Sequence, residues 1–167
     1  YGCLLSHIKT LEKAIKDNVD YAVIFEDDFI FRKKIDINSL INNIKDLEWD
    51  VCLLSGNTIK LLDKLDDNLY KVNNSQTTSG YIIKKKYIPV LLNFWNKTNL
   101  GDNRNIDYSK LSKMDCSNSV GCPYNSPLDI SWKKLQKKDN WIIFYPTIGY
   151  QGDSFSDILK RNVNYGV

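Results

Sequence analysis

Between Cys3 and Lys16 the apolar residues stand at positions 4, 5, 8, 11, 14 and 15. That is the three-to-four-residue spacing of an amphipathic helix, and Asn18 is a fitting terminator. Tyr21-Ala-Val-Ile-Phe25 is an apolar run that predicts a buried strand, and it passes without a spacer into Glu26-Asp27-Asp28. A second helix is predicted over 38–48, and a second buried strand over 50–54, ending at Ser55-Gly56. Leu69–Val72 and Thr78–Ile83 read as shorter strands, followed by a helix over about 85–96 with Pro89 in its early part, where proline is tolerated. Ser126 and Pro127 open a helix predicted to reach Lys138, and Trp141–Tyr145 is a last strong strand closed by Pro146. The alternation of helix and strand predicts an α/β fold. Residues 99–126 are rich in Asn, Ser, Asp and Gly and lack apolar periodicity, which predicts a functional loop or lid. No internal repeat or low-complexity segment interrupts the 167 residues, which read as one domain spanning 1–167.

Composition narrows the function without choosing it. Hydrophobic residues make up 43% and charged residues 26%, the balance of a globular domain, and no apolar stretch is long enough to span a bilayer. The net charge is +3, with 23 basic residues interspersed among 20 acidic ones instead of gathered into a stripe, so nucleic acid is not an expected partner. Cys3, Cys52, Cys116 and Cys122 lack paired C-x-x-C spacing, and His7 is the single histidine, so the spacing gives no basis for a structural zinc site. Cys52 lies in the apolar run Val51-Cys52-Leu53-Leu54 and reads as a small buried hydrophobe. Cys116 and Cys122 flank a segment flexible enough to close a disulfide, a pairing that spacing alone leaves open. A chain starting at Tyr1, with Met114 as its sole methionine, is expected to lack N-terminal sequence. The compartment stays open between cytoplasm and secretory lumen, with the cytoplasm favoured.

Three acids in succession at the end of a buried strand concentrate charge that a hard divalent cation would neutralise. If the segment stays extended, Glu26 and Asp28 face the same way and Asp27 faces elsewhere. The alternative is a solvated acidic turn or a helix cap, and the residues alone do not choose. Asp129, at a helix start behind Pro127, fits a general base or a cap. Tyr81, Trp132 and Trp141 are candidates for stacking on sugars, with core packing the stronger reading for Trp141.

Several segments carry a likeness. Gly2-Cys3-Leu4-Leu5-Ser6-His7, then Val23-Ile24-Phe25-Glu26-Asp27-Asp28, then Thr78-Ser79-Gly80-Tyr81, Pro127-Leu128-Asp129 and Tyr150–Ile158 stand in an order that resembles glycosyltransferase family 25. That group includes bacterial lipooligosaccharide galactosyltransferases and procollagen hydroxylysine galactosyltransferases. The resemblance implies a GT-A-like, Rossmann-type sandwich with a mostly parallel central sheet, here without the N-terminal strand that normally precedes the opening signature. It implies a UDP-sugar donor carrying galactose or glucose, Mn2+ or Mg2+ as cofactor, and a hydroxyl acceptor on a glycan or on hydroxylysine. By the same likeness Ser6, His7, Glu26, Asp27, Ser79 and Gly80 are expected near the donor, with Asp28 and Glu26 on the metal. Gln151 stands where many related enzymes place a histidine ligand, and Asp153 is the charged alternative. Asp129 is the expected base of an inverting displacement. Two rivals remain at this level: another metal-dependent nucleotide-processing enzyme, and a non-catalytic remnant of the fold.

Overall fold

The computed structural model describes residues 2–97, 128–156 and 161–163. The predicted loop over 99–126, the Cys116–Cys122 pair, and Ser126 and Pro127 all lie outside them.

Helix α1 (Gly2–Lys16) buries Leu4, His7, Ile8, Leu11 and Ala14, so His7 lies on the apolar stripe itself. The helix stops at Asn18, which takes a left-handed φ of 57°. Strand β1 (Tyr21–Phe25) forms as predicted, and the short β2 (Phe29–Phe31) follows the acids. Helix α2 (Ile37–Ile44) is capped by Asp36, whose side chain accepts from the Asn38 N–H and the Ser39 hydroxyl. It ends short of the predicted Glu48 because the Trp49 indole N–H and the Leu47 N–H both take the Ile44 carbonyl, at 2.6 and 3.1 Å.

Strand β3 (Val51–Leu53) leads into a hairpin of β4 (Asn57–Asp66) and β5 (Leu69–Gln76), then β6 (Gly80–Lys84). A 3-10 turn (Lys85–Tyr87) opens α3 (Ile88–Trp95), with Pro89 in its first turn. The predicted helix over 127–138 is two short pieces, α4 (Leu128–Ser131) and α5 (Lys133–Gln136). Strands β7 (Trp141–Phe144), β8 (Gly149–Gln151), β9 (Ser154–Ser156) and β10 (Arg161–Val163) complete the described chain.

Among the described residues six strands form the central sheet, in the order β1-β6-β3-β7-β5-β4. Of these strands only β3 and β7 pair in parallel; the other four pairings are antiparallel. This overturns the expectation of a mostly parallel, Rossmann-type sheet. Parallel neighbours need a crossover of a dozen or more residues, usually a helix, and no helix separates β3, β4, β5 and β6. β4 escaped the hydrophobic pattern because it is the sheet's edge and carries Lys60, Asp63 and Lys64 outward.

The α/β class itself holds. Central strands alternate their side chains between two apolar layers, which is why they read as unbroken apolar runs. Val51, Leu53, Tyr81, Ile83, Trp141 and Ile143 pack toward α1, α3, α4 and α5, with Trp95 and Trp132. Cys52, Leu54, Ile82, Ile142 and Phe144 pack the other way, toward α2 and Trp49. Since β1 and β3 are both antiparallel to β6, they run in the same direction, as does β7. Their carboxyl ends therefore share one rim with the amino end of β6. Glu26, Ser55 and Thr77 to Ser79 are delivered together at that rim.

Candidate active site

The acids do not continue the strand. The Phe29 N–H donates to the Glu26 carbonyl at 3.1 Å, closing a turn over Asp27 and Asp28. The alternation expected of an extended segment is therefore lost, and the three side chains go to different partners.

Glu26 faces α1. Its Oε1 accepts from the Thr78 hydroxyl at 2.5 Å, lies 2.9 Å from His7 Nε2, and receives the Cys3 thiol at 3.5 Å. Burial works against the Glu26 charge, but the hydrogen bonds from His7 and Thr78 together outweigh it, and the carboxyl sits below its ordinary 4.5. His7 Nδ1 reaches the hydroxyl of fully buried Tyr81 at 2.9 Å, and the two rings stack. A cleft of about 390 Å³ opens beside this cluster, lined by Cys3, Ser6, His7, Thr10, Ile24, Phe25, Glu26 and Asp27. Ser6 lines it while its hydroxyl bonds the Gly2 carbonyl, and Asp27 is exposed at its edge.

A stability prediction follows from Glu26. Its folded-state value lies below the unfolded one, so its contribution is present above about 4.5 and is lost as the pH falls through the lowered folded value. Denaturant titrations from pH 7 to 3 are expected to show acid destabilisation that is shallower in Glu26→Gln; identical pH slopes for the two proteins would remove the assignment.

Asp28 faces the opposite strand. β2 pairs with β8 so that Phe29 stands across from Gln151, and the Gly152 N–H donates to the Asp28 carbonyl at 2.8 Å. The Gln151 amide thereby donates to Asp28 Oδ2 at 2.9 Å. Gln151 Oε1 accepts from the Thr77 hydroxyl at 2.9 Å, and the Thr77 N–H donates to Asp129 Oδ2 at 3.2 Å. One chain of hydrogen bonds thus joins Asp28, Gln151, Thr77 and Asp129. Thr77 holds a left-handed φ of 71°, a conformation a β-branched residue rarely adopts, and strain of this kind concentrates at functional sites.

Asp28 Oδ1 is buried and has no hydrogen-bond partner among the described residues. Burial raises the Asp28 carboxyl above its ordinary range, opposed by the Gln151 hydrogen bond and reinforced by the charges of Glu26 and Asp27. A buried carboxylate oxygen without a partner, beside the further acids Glu26 and Asp27, is what a hard cation would satisfy, so these residues fit one.

Ser79 and Gly80 sit deeper than expected of donor contacts. The Ser79 hydroxyl bonds that of Ser55 at 2.7 Å, and both residues are buried. A Cβ on Gly80 would fall 2.3 Å from the Phe29 ring, and one on Gly149 would meet the ring's other side at 2.3 Å. The ring is wedged between two glycines, which fixes the end of the acidic turn. Gly80→Ala is therefore expected to cost about 1–3 kcal/mol by overpacking, measured by urea unfolding; an unchanged midpoint would show that the ring has room to move. Tyr81, Trp132 and Trp141 are buried in the core, which removes them as sugar-stacking surfaces.

The sequence pattern missed Thr77, Thr78 and Ser55. All three flank strand ends at this rim; the signals available were the polar run Gln76-Thr77-Thr78-Ser79 before an apolar strand, the place of Thr78 in a segment that carries the family likeness, and the place of Ser55 at the end of a buried strand. Neither Thr77 nor Thr78 has a side chain whose role is readable before the fold is known.

An α/β sheet with a carboxylate network and an adjoining cleft at one rim of strand ends has the layout of an enzyme that handles a small polar ligand. Residues 1–109 match the family model of glycosyltransferase family 25, described as LPS biosynthesis protein. The chain belongs to glycosyltransferase family 25 and is a glycosyltransferase. The matched segment contains Ser6, His7, the three acids, Ser79 and Gly80; Asp129 and Gln151 lie beyond it. No curated protein matches the chain. Membership implies a sugar donor and a glycan acceptor, and no described helix is long and apolar enough to cross a membrane.

Proposed function

We propose that the chain moves a hexose, galactose or glucose, from a UDP-sugar to a hydroxyl of a glycan acceptor in lipopolysaccharide-type biosynthesis, with inversion at the anomeric carbon. The observation that carries this reading is the chain of contacts from orphaned Asp28 through Gln151 and Thr77 to Asp129. It sets a candidate cation position and a candidate base on one strand rim.

Asp28, with the amide of Gln151, would hold Mn2+ or Mg2+. When bound, such a cation supplies charge neutralisation for a diphosphate leaving group. Gln151 now turns its NH2 to Asp28 and its oxygen to Thr77; rotating the amide by half a turn exchanges them, and the threonine hydroxyl can serve as donor or acceptor. Asp129 is anchored through one oxygen on a backbone N–H, so it is positioned without being neutralised by a cationic partner in that contact. It takes the proton of the acceptor hydroxyl as that oxygen attacks the anomeric carbon and the bond to UDP breaks. The cleft beside His7, Ser6 and Asp27 is the candidate donor seat, and Glu26 ties that wall to Thr78.

UDP release from UDP-galactose and UDP-glucose, with and without Mn2+ and with oligosaccharide acceptors, tests the reading. Manganese-dependent release that rises with acceptor is expected; no turnover of any UDP-hexose under these conditions would contradict it.

A further inference from the structure

We propose that Cys3 Sγ, His7 Nε2 and Glu26 Oε1 form a binding site for a thiophilic divalent cation, represented by Zn2+, with a ligand set distinct from that at Asp28. Cysteine spacing along the chain gave no sign of it, because the fold and not a motif assembles the ligands. Cys3 and His7 stand one helical turn apart on α1, and the end of β1 brings Glu26 to them.

The three ligand atoms lie within 4.8 Å of one another, with Nε2 to Oε1 at 2.9 Å and Sγ to Oε1 at 3.5 Å. Tetrahedral zinc with bonds of about 2.0–2.3 Å separates its ligand atoms by roughly 3.3–3.6 Å, so shifts of about 1 Å complete the site. Thiolate, imidazole and a single carboxylate favour zinc over manganese or magnesium. The cleft lined by all three residues leaves room for water as a fourth ligand.

His7 is already oriented for this. Its ring stacks on Tyr81 and meets Trp95 edge-on, and Nδ1 lies 2.9 Å from the Tyr81 hydroxyl. In the metal-bound form Nε2 gives its lone pair to the cation while Nδ1 carries the ring proton and donates to Tyr81, the outer-sphere contact that metal-bound histidines use. Cys3 is exposed as a residue, but its thiol is crowded by burial and by the Glu26 charge and is pushed up to about 12. A cation between them reverses the clash with Glu26, and the thiol proton leaves to solvent on binding. The bound ion would clasp α1 to the start of the acidic turn.

The site rests on these contacts and not on the transferase reading, so its test uses neither donor nor acceptor. Metal-free protein is titrated with Co2+, a spectroscopic substitute for zinc, and Zn2+ is then added. A thiolate-to-cobalt charge-transfer band that Zn2+ abolishes is expected for the native chain and for Cys116→Ser/Cys122→Ser. Cys3→Ser should lose the band, His7→Gln should weaken affinity tenfold or more, and Tyr81→Phe should weaken it about 10- to 100-fold. Absence of the band in the native chain, or its persistence in Cys3→Ser, overturns the proposal.

Discussion

Asp28→Asn is expected to reduce manganese-dependent sugar transfer by about a thousandfold or more while leaving the fold intact. The magnitude follows from losing about 4 kcal/mol of charge stabilisation on a departing diphosphate, at 1.4 kcal/mol per tenfold. The fold survives because asparagine can still accept from the Gln151 amide where Asp28 Oδ2 now does. Stability is expected to rise rather than fall. The Asp28 carboxyl is raised in the folded state, chiefly by burial, so ionising it at neutral pH weakens folding, and that penalty disappears with the charge. The sign is checkable: the raised value makes the native stability contribution greatest at low pH and lost as the pH rises through it. Asp28→Asn should therefore unfold at an equal or higher urea concentration at pH 7 while its manganese-dependent turnover falls by about a thousandfold or more. Native turnover at saturating donor would sink the assignment; a destabilised variant would sink the account of its charge.

Asp129→Asn is the second large expected effect, a loss of about 10²- to 10⁴-fold in transfer with UDP and manganese binding preserved, the usual range for removing a general base. Asparagine retains the oxygen that accepts from the Thr77 N–H, so the left-handed Thr77 and its bond to Gln151 stay in place. What it lacks is the ability to take a proton. A purely positioning role for Asp129, holding Thr77 and nothing more, would leave the asparagine variant close to native in rate. Rate and donor affinity measured on one preparation separate the two cases.

The helices and buried strands were legible because burial imposes period: α1, β1, β3, β6 and β7 all carry apolar patterns that only one side or both sides of a sheet can explain. Sheet direction was not, because direction lives in the connections. The polar edge strand β4 hid the hairpin that replaces a helical crossover between β3 and β6. Within the site, Glu26 and Asp28 stood out as candidates from their place at the end of an apolar run, but the separation of their side chains was not legible. The expected alternation assumed an extended backbone, whereas Phe29, seated between Gly80 and Gly149, bends the segment into a turn. Gln151 was singled out only by the family resemblance, as the residue standing where related enzymes place a histidine ligand, and the β2–β8 pairing explains its contact with Asp28. Thr77 had no sequence signal of its own, since its part depends on a backbone conformation that composition does not encode.

Calorimetric titration of UDP into the native protein and into Asp28→Asn, each with and without Mn2+, tests the central claim most directly. The account predicts that Mn2+ tightens UDP binding to the native chain by tenfold or more, a coupling free energy of about 1.4 kcal/mol, and that Asp28→Asn abolishes this tightening while its manganese-free affinity is unchanged. Equal UDP affinity with and without Mn2+ in the native protein, or an undiminished manganese effect in Asp28→Asn, would contradict it.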